Sequence, residues 1–424
     1  MKNTNRLVII FLVLVMLVLP VFQVEAQDMI DARTLALGGS NIATAEGLEY
    51  LGGNPATLAA PKDFGFEFLL FSSRLKMSNN SFSLKEYDDY FTSGDTLTNK
   101  DIDNLLEDLP ESGLRLDGLV GVRALSFCFH SFGFGVTGTG NGHVIIPKEA
   151  VEFPFYGNSG IKNLRFDDLD GEGWGGVAFD FGYGRKIIEE KEGESRFLSA
   201  GVNLKYILGL AYGGLIDADG GLQTTDEYIY ADGEMSYRTS MGGRGFAADM
   251  GFLAKIRKNW TVSLHFNNLI GGIGWDKDNE ISVYEFQSDT LRIGDSGDTE
   301  ITDTDTTYST GNFSTSLPRT LNMAASFNAR DNLVLTAAWR QGLDHSMGNT
   351  IKPRVSVGAE YSRLSYLPLR AAFAFGGRET FAVGMGLGIN IKYWRLDIGY
   401  LNHTFNWFRS AKSVDLAVTS NLRF

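Results

Sequence analysis

The sequence predicts an all-β protein, a transmembrane antiparallel β-barrel of about 14 strands with an N-terminal luminal hatch. Three observations predict it. An export leader precedes a chain with no second apolar run long enough for a helical span. Most of the remainder alternates apolar and polar residues with period two, as a strand with two unlike faces does. The connections between these runs switch between short and long.

Residues 1–26 read as a cleaved signal peptide. Lys2 and Arg6 supply the positive start, Leu7 to Leu19 is unbroken apolar sequence, and Val24-Glu25-Ala26 offers small residues before Gln27. Gly is abundant at 50 residues and Pro scarce at 9. The mean hydropathy of −0.08 fits a soluble β-protein and a barrel alike, because a barrel's alternation keeps the mean near zero. Cys128 is the one cysteine, so no internal disulfide forms; between Phe127 and Phe129 it reads as a buried, inert thiol. The net charge of −13 argues against nucleic acid as a partner and fits acidic external loops.

Residues 27–61 read as the hatch. The stretch Arg33–Pro61, RTLALGGSNIATAEGLEYLGGNPATLAAP, is too Gly-rich for a stable surface helix and too apolar for a solvated tail. Gly38 and Gly39 permit tight turns, and Pro55 fixes the bend after Asn54.

Residues 62–424 read as the barrel. Counting spans of roughly ten residues gives about fifteen strands, whereas bacterial single-chain barrels use even numbers. Fourteen is therefore expected, with the excess in the weak pair Phe64–Phe71 and Asn80–Glu86. One helix is expected over Thr98–Leu109, capped by Thr98 or Asn99, ended by Pro110, with Ile102, Leu105, Leu106 and Leu109 on one face. Val144–Arg165, with two prolines, reads as irregular.

In the second half the apolar face carries Phe246, Met250, Phe252, Met323, Leu335, Val357, Phe373, Met385, Ile398 and Leu416. The opposite face carries Asp249, Lys255, His265, Asn322, Ser326, Asp415 and Arg423, narrowing to Ala382, Gly384, Gly386 and Gly388. In a barrel that face is the lumen. Arg340, Arg354, Glu360, Arg370, Arg395 and Asp397 come from neighbouring strands and form a candidate luminal cluster. Such a cluster is an ion-pair ladder bracing the wall, or a clasp for the hatch's polar backbone. The inward glycines at 384–388 are the expected seat of the hatch. Connections at 257–259, 329–331, 363–366 and around Asn390 are tight; 209–244, 270–317, 342–350 and 402–412 between them are mostly longer and polar, though the break at 376–379 is short. Trp260, Trp339, Trp394, Tyr361 and Tyr400 fall near strand ends, where interfacial girdles sit.

Catalysis is not expected. His130, His143, His265, His345 and His403 are scattered, and His265 reads as a structural luminal histidine. The acidic run Asp295–Thr307 lacks the ligand spacing of an EF-hand and reads as a solvated loop. No metal or cofactor is expected.

Leu37-Gly38-Gly39-Ser40 followed by Asn54-Pro55-Ala56 resembles the N-terminal signature of the FadL superfamily of long-chain fatty-acid transporters, shared with PorV-type outer-membrane proteins. RVSVGAEYSRLSYLPLRAAFAFG and GMGLGINIKYWRLDIGY are similar to the same group. DIDNLLEDLPESGLRLDGLVGVRALSF, IIPKEAVEFPFYGN and VNLKYILGLAYGG resemble an uncharacterised Bacteroidetes-type branch of it. The resemblance implies a fourteen-stranded barrel in the outer membrane, surrounded by its lipid, with the N-terminal segment in the lumen. It also implies that the terminal aromatic, Phe424, is the signal read by the barrel assembly machinery. The implied function is passive transport of hydrophobic or amphipathic small molecules; the alternative is PorV-like docking of a secreted protein without transport. The transporter's fatty-acid-binding residues do not map onto this chain, and none is carried over.

Overall fold

The computed structural model describes residues 30–92, 97–160, 163–188, 196–225, 228–292, 301–378, 380–403 and 411–424. The expected leader over residues 1–26, residues 189–195 and the first half of the Asp295–Thr307 run lie outside the described residues.

Among these residues the wall has fourteen strands. They are β1 (Phe66–Asn79), β2 (Leu114–Phe129), β3 (Phe132–Ile146), β4 (Asp170–Ile188), β5 (Phe197–Thr224), β6 (Gly243–Arg257) and β7 (Trp260–Trp275). They continue as β8 (Thr320–Arg330), β9 (Leu333–Gly342), β10 (Arg354–Tyr361), β11 (Leu369–Gly376), β12 (Phe381–Ile391), β13 (Trp394–Asn402) and β14 (Ser413–Arg423). Each is antiparallel to the next. β14 pairs with β1, from Glu67↔Arg423 to Ser78↔Ser413, and closes the barrel. Closure leaves the wall no free edge. The excess strand lay where it was expected: Asn80–Glu86 is not a strand. Asn79 Oδ1 accepts from Ser81 N and Phe82 N, and Ser83 then caps the short helix Leu84–Tyr87, with Glu86 completing a capping box.

The faces are those of a membrane barrel. Phe246, Phe252, Met323, Leu335, Val357, Phe373, Met385 and Leu416 are exposed, while Asp249, His265, Asn322, Arg370, Asp397 and Asp415 are buried. Apolar outside and charged inside is the inverse of a soluble core, so the exposed surface is lipid-facing. At one rim two-residue turns join the strands, at His130-Ser131, Lys258-Asn259, Asp331-Asn332 and Lys392-Tyr393. Aromatic pairs such as Trp260–Phe327 (4.8 Å) and Tyr393–Phe424 (5.4 Å) line that rim.

The opposite rim carries most of the remaining structure. The helix Asn99–Glu107 is capped by Thr98, whose amide and hydroxyl bond the Asp101 carboxylate and hold its pKa below the ordinary value. Leu106 and Leu109 pack with Leu114, Ile146, Ala150, Leu164 and Leu222, and Ile102 lies against them. Two expectations fail here. Val144–Arg165 is not irregular: β3 runs to Ile146, and a helix spans Lys148–Gly160 with Pro154 inside it. Val151, Phe153 and Phe155 pack on the same cluster, and this burial offsets proline's poor helix propensity. Nor are 209–244 and 270–317 loops. β5 continues past the wall to Thr224, and the strands Tyr228–Ser240, Glu280–Arg292 and Ile301–Ser309 extend it sideways as an antiparallel sheet.

Candidate functional site

The N-terminal segment from Ile30 to Pro61 lies inside the barrel and forms no strand. It consists of the helix Ala32–Ala36 and three 3-10 turns, Ser40–Ala43, Gly47–Tyr50 and Pro55–Ala59. None is long enough to be stable alone, so the segment owes its form to the wall. Asp31 caps the helix by accepting from Thr34 N at 2.9 Å. Gly38 (φ +58°) and Gly39 (φ +81°) are consecutive left-handed residues that turn the chain after the helix. Asn54 Oδ1 accepts from Ala56 N at 2.8 Å, capping the turn that Pro55 begins.

The wall is shaped to receive this segment. Ala32 and Leu35 pack with Ala374, Ala382, Leu401 and Ala417. A Cβ on Gly399 would overlap Ala32 O, and one on Gly384 would lie 2.5 Å from Ala36 O. Of the inward glycine row, Gly384 and Gly386 do face the segment at Ala36, whereas Gly388 faces Asp397 and Arg370. Hydrogen bonds fasten the segment around the circumference. Ala32 N donates to Thr419 Oγ1 (2.9 Å) and Leu48 N to Glu67 Oε2 (2.7 Å). Ser40 Oγ bonds Thr336 Oγ1 (2.6 Å), and Ser199 Oγ donates to Ala56 O (2.9 Å). Asn54 Nδ2 donates to Ser263 Oγ (2.7 Å) and Phe252 O (2.8 Å), joining the segment to β7 and β6.

One electrostatic feature dominates. Arg33 meets Glu360 at 2.8 Å, Glu360 meets Arg370 at 2.5 Å, and Arg370 meets Asp397 at 2.6 Å. Asp397 meets Arg395 at 2.6 Å, Arg395 meets Glu49 at 3.3 Å, and Glu49 returns to Arg33 at 2.6 Å. The result is a closed ring of alternating charge, neutral in sum, with two members from the segment and four from β10, β11 and β13. Each charge keeps two opposite neighbours, the condition under which burying it is tolerable.

Four of the six residues expected to cluster are thus together: Glu360, Arg370, Arg395 and Asp397. Arg340 and Arg354 are not in the ring. They pair across β9 and β10 and line a cavity of about 40 Å³ with Gly38, Gly39, Asn41 and Asn322. That volume holds a water or two. Arg33 and Glu49 were missed, although Arg33, Glu46 and Glu49 are the only charges in Arg33–Pro61. A charge in a segment destined for burial needs a partner, and that signal was there to read.

Toward the long-loop rim, Trp174, Ile207, Ala247, Ile273, Trp275, Leu317 and Met347 form a buried apolar cluster, with Tyr212 and Phe313 against it. His265 is buried beside Asn322, at 3.4 Å. No group of three or more His, Cys, Asp or Glu suited to a metal occurs among the described residues. Phe424 sits at the barrel seam: its N donates to Phe66 O (2.8 Å), its O accepts from Gly65 N (2.8 Å), and its ring stacks on Tyr393.

Solved structures share this architecture. The Ralstonia pickettii toluene transporter TbuX matches with TM-score 0.50 and 12% identity, over 96% of this chain and 99% of its own. The P. putida toluene transporter TodX matches with TM-score 0.51 and 12% identity, over 95% and 99%. A Pseudomonas aeruginosa FadL homologue matches with TM-score 0.51 and 11% identity, again over 95% and 99%. At these identities the likeness is one of fold: a FadL-type fourteen-strand barrel. No curated protein matches the sequence. The model of a family of unknown function, DUF5723, matches residues 55–242 and 232–398, and the chain belongs to that family.

Proposed function

We propose that this chain is an outer-membrane passive channel for small hydrophobic or amphipathic molecules, with residues 27–61 as its hatch. The observation that carries this is the way the lumen is filled. The segment is held by side-chain hydrogen bonds and one ion ring, not by strand pairing. Such contacts exchange for water or for other partners without unzipping the wall. The lipid-facing exterior and the export leader support the location, and the fold shared with toluene transporters supports the transport class. The protein acts without catalysis, cofactor or metal, and Phe424 addresses it to the assembly machinery.

Deleting Arg33–Ala60 and reconstituting the barrel in vesicles tests the proposal. Permeability to small apolar and amphipathic solutes should rise. Permeability unchanged across such a panel would sink it. A second reading, a PorV-like docking barrel without transport, is favoured by the ordered sheet beyond the long-loop rim. Surface cross-linking in intact cells that recovers no protein partner counts against that reading.

A further inference from the structure

Among the described residues, the sheet beyond the rim ends in an open edge. Its last strand, Ile301–Ser309, pairs on one side with Glu280–Arg292, from Glu280↔Ser309 to Ser288↔Ile301, with no shift in register. Among the described residues nothing pairs with its other side. The edge is therefore straight, and about 30 Å long at ~3.3 Å per residue. Its sequence, ITDTDTTYS, is rich in strand-favouring threonine. Proteins blunt edges of this length with proline, lysine, a bulge or a covering loop, because unpaired N–H and C=O groups are templates for another strand. Here the devices present are Asp303 and Asp305, both exposed.

The rest of the sheet has the same sign of charge. Asp219, Glu234 and Glu285 lie directly opposite one another on three successive strands, and all three are exposed. Like charges facing each other across a ladder oppose its formation. No ion pair among the described residues relieves any of them.

We propose that this edge is a docking site for an extended cationic polypeptide, which adds as a further strand beside Ile301–Ser309. Backbone pairing supplies the geometry. Lysine or arginine at alternate positions would meet Asp303 and Asp305. The row ending at Glu285 lies on the other face of the sheet, where Glu285 stands opposite Thr304, and adds only to the general negative field. Charge selects the occupant. A second copy of this chain brings the same carboxylates and a net charge of −13 and is repelled. A divalent cation lacks a convergent set of ligands among the described residues. The proposal is independent of what crosses the barrel, so its failure leaves the channel reading untouched.

The test uses the full chain in nanodiscs and a fluorescent peptide of about ten residues alternating Lys and Thr, followed by anisotropy. The control alternates Lys and Pro, with equal charge, but half its N–H groups are gone and each proline locks φ at about −65°, away from the strand value of about −140°. The Lys–Thr peptide should bind at least about tenfold more tightly than the Lys–Pro peptide. Asp303→Lys with Asp305→Lys should weaken it by about tenfold or more, leaving the heat-dependent gel mobility of the barrel unchanged. Equal binding of the two peptides would reduce the effect to diffuse attraction and overturn the proposal. So would absence of binding, or binding that the double reversal does not alter.

Discussion

Arg33 Nε lies 2.8 Å from Glu360 Oε2, a contact between residues 327 apart in the chain. It ties the helix at the start of the luminal segment to the end of β10 in the barrel wall. Arg33 also holds Glu49, so the two ends of the segment's first half are fixed to each other and to β10 by one guanidinium.

Replacing Arg33 by Met should therefore loosen the luminal segment without dismantling the barrel. Breaking a buried pair costs about 3–5 kcal/mol when a charge is orphaned. Here Glu360 keeps Arg370 and Glu49 keeps Arg395, so the cost falls to about 2 kcal/mol, a roughly 30-fold rise in the released state. Subtilisin cleavage within residues 30–61 should accelerate accordingly, and conductance in planar bilayers should rise. A segment as resistant as in the native protein would show that the ring is not what retains it.

Gly399→Ala should give the same outcome by a steric route. The new methyl would meet Ala32 O, a backbone atom that cannot swing aside. Overpacking of this kind costs about 1–3 kcal/mol, and the small helix yields before β13 does. Gly138→Ala is the control, since the nearest atom to its Cβ would be Val122 O at 3.9 Å. Cleavage rates should separate the two variants; equal rates would mean that the helix is not seated by that contact.

The wall was legible because period two decides which way each side chain points. Asp249, His265, Arg370 and Asp397 were placed inward on that ground alone and are buried. Period two does not decide height along the barrel axis. Arg354 and Glu360 share a face but sit toward opposite ends of β10, so grouping them was an error of level. The docking of an irregular segment has no period to read, and Arg33 and Glu49 were missed for that reason. Phe82 and Leu84 give Asn80–Glu86 a strand's alternation, but the Ser83…Glu86 capping box starts a helix there. The outer sheet was hidden because its Asp and Gly content reads as loop while its Thr and Tyr favour strands.

Asn54 separates a hydrogen-bonding role from a space-filling one. Its amide donates to Ser263 Oγ and Phe252 O in a fully buried site. Asn54→Ala should cost about 1–3 kcal/mol, from the acceptors left unpaired. Asn54→Asp keeps the shape but sets a carboxylate against the Phe252 carbonyl, and a buried unpaired charge costs more still. Proteolysis of the segment should thus rank native slowest, then Ala, then Asp. An Asp variant as protected as the native chain would show that the donors contribute nothing.

Phe424 carries two roles that truncation and substitution tell apart. Its main chain closes the β1–β14 seam through bonds to Gly65 and Phe66, and its ring rests on Tyr393 and Phe66. Deleting Phe424 removes the seam bonds and the ring together, whereas Phe424→Ala keeps the backbone bonds and loses the stacking, worth about 0.5–1.5 kcal/mol. If the ring is also read during assembly, Phe424→Ala should lower the amount of folded barrel in the outer membrane well beyond what so small a loss predicts. The same variant refolded into detergent from urea should reach a yield near that of the native chain. Equal losses in cells and in detergent would assign the terminal aromatic to the seam alone.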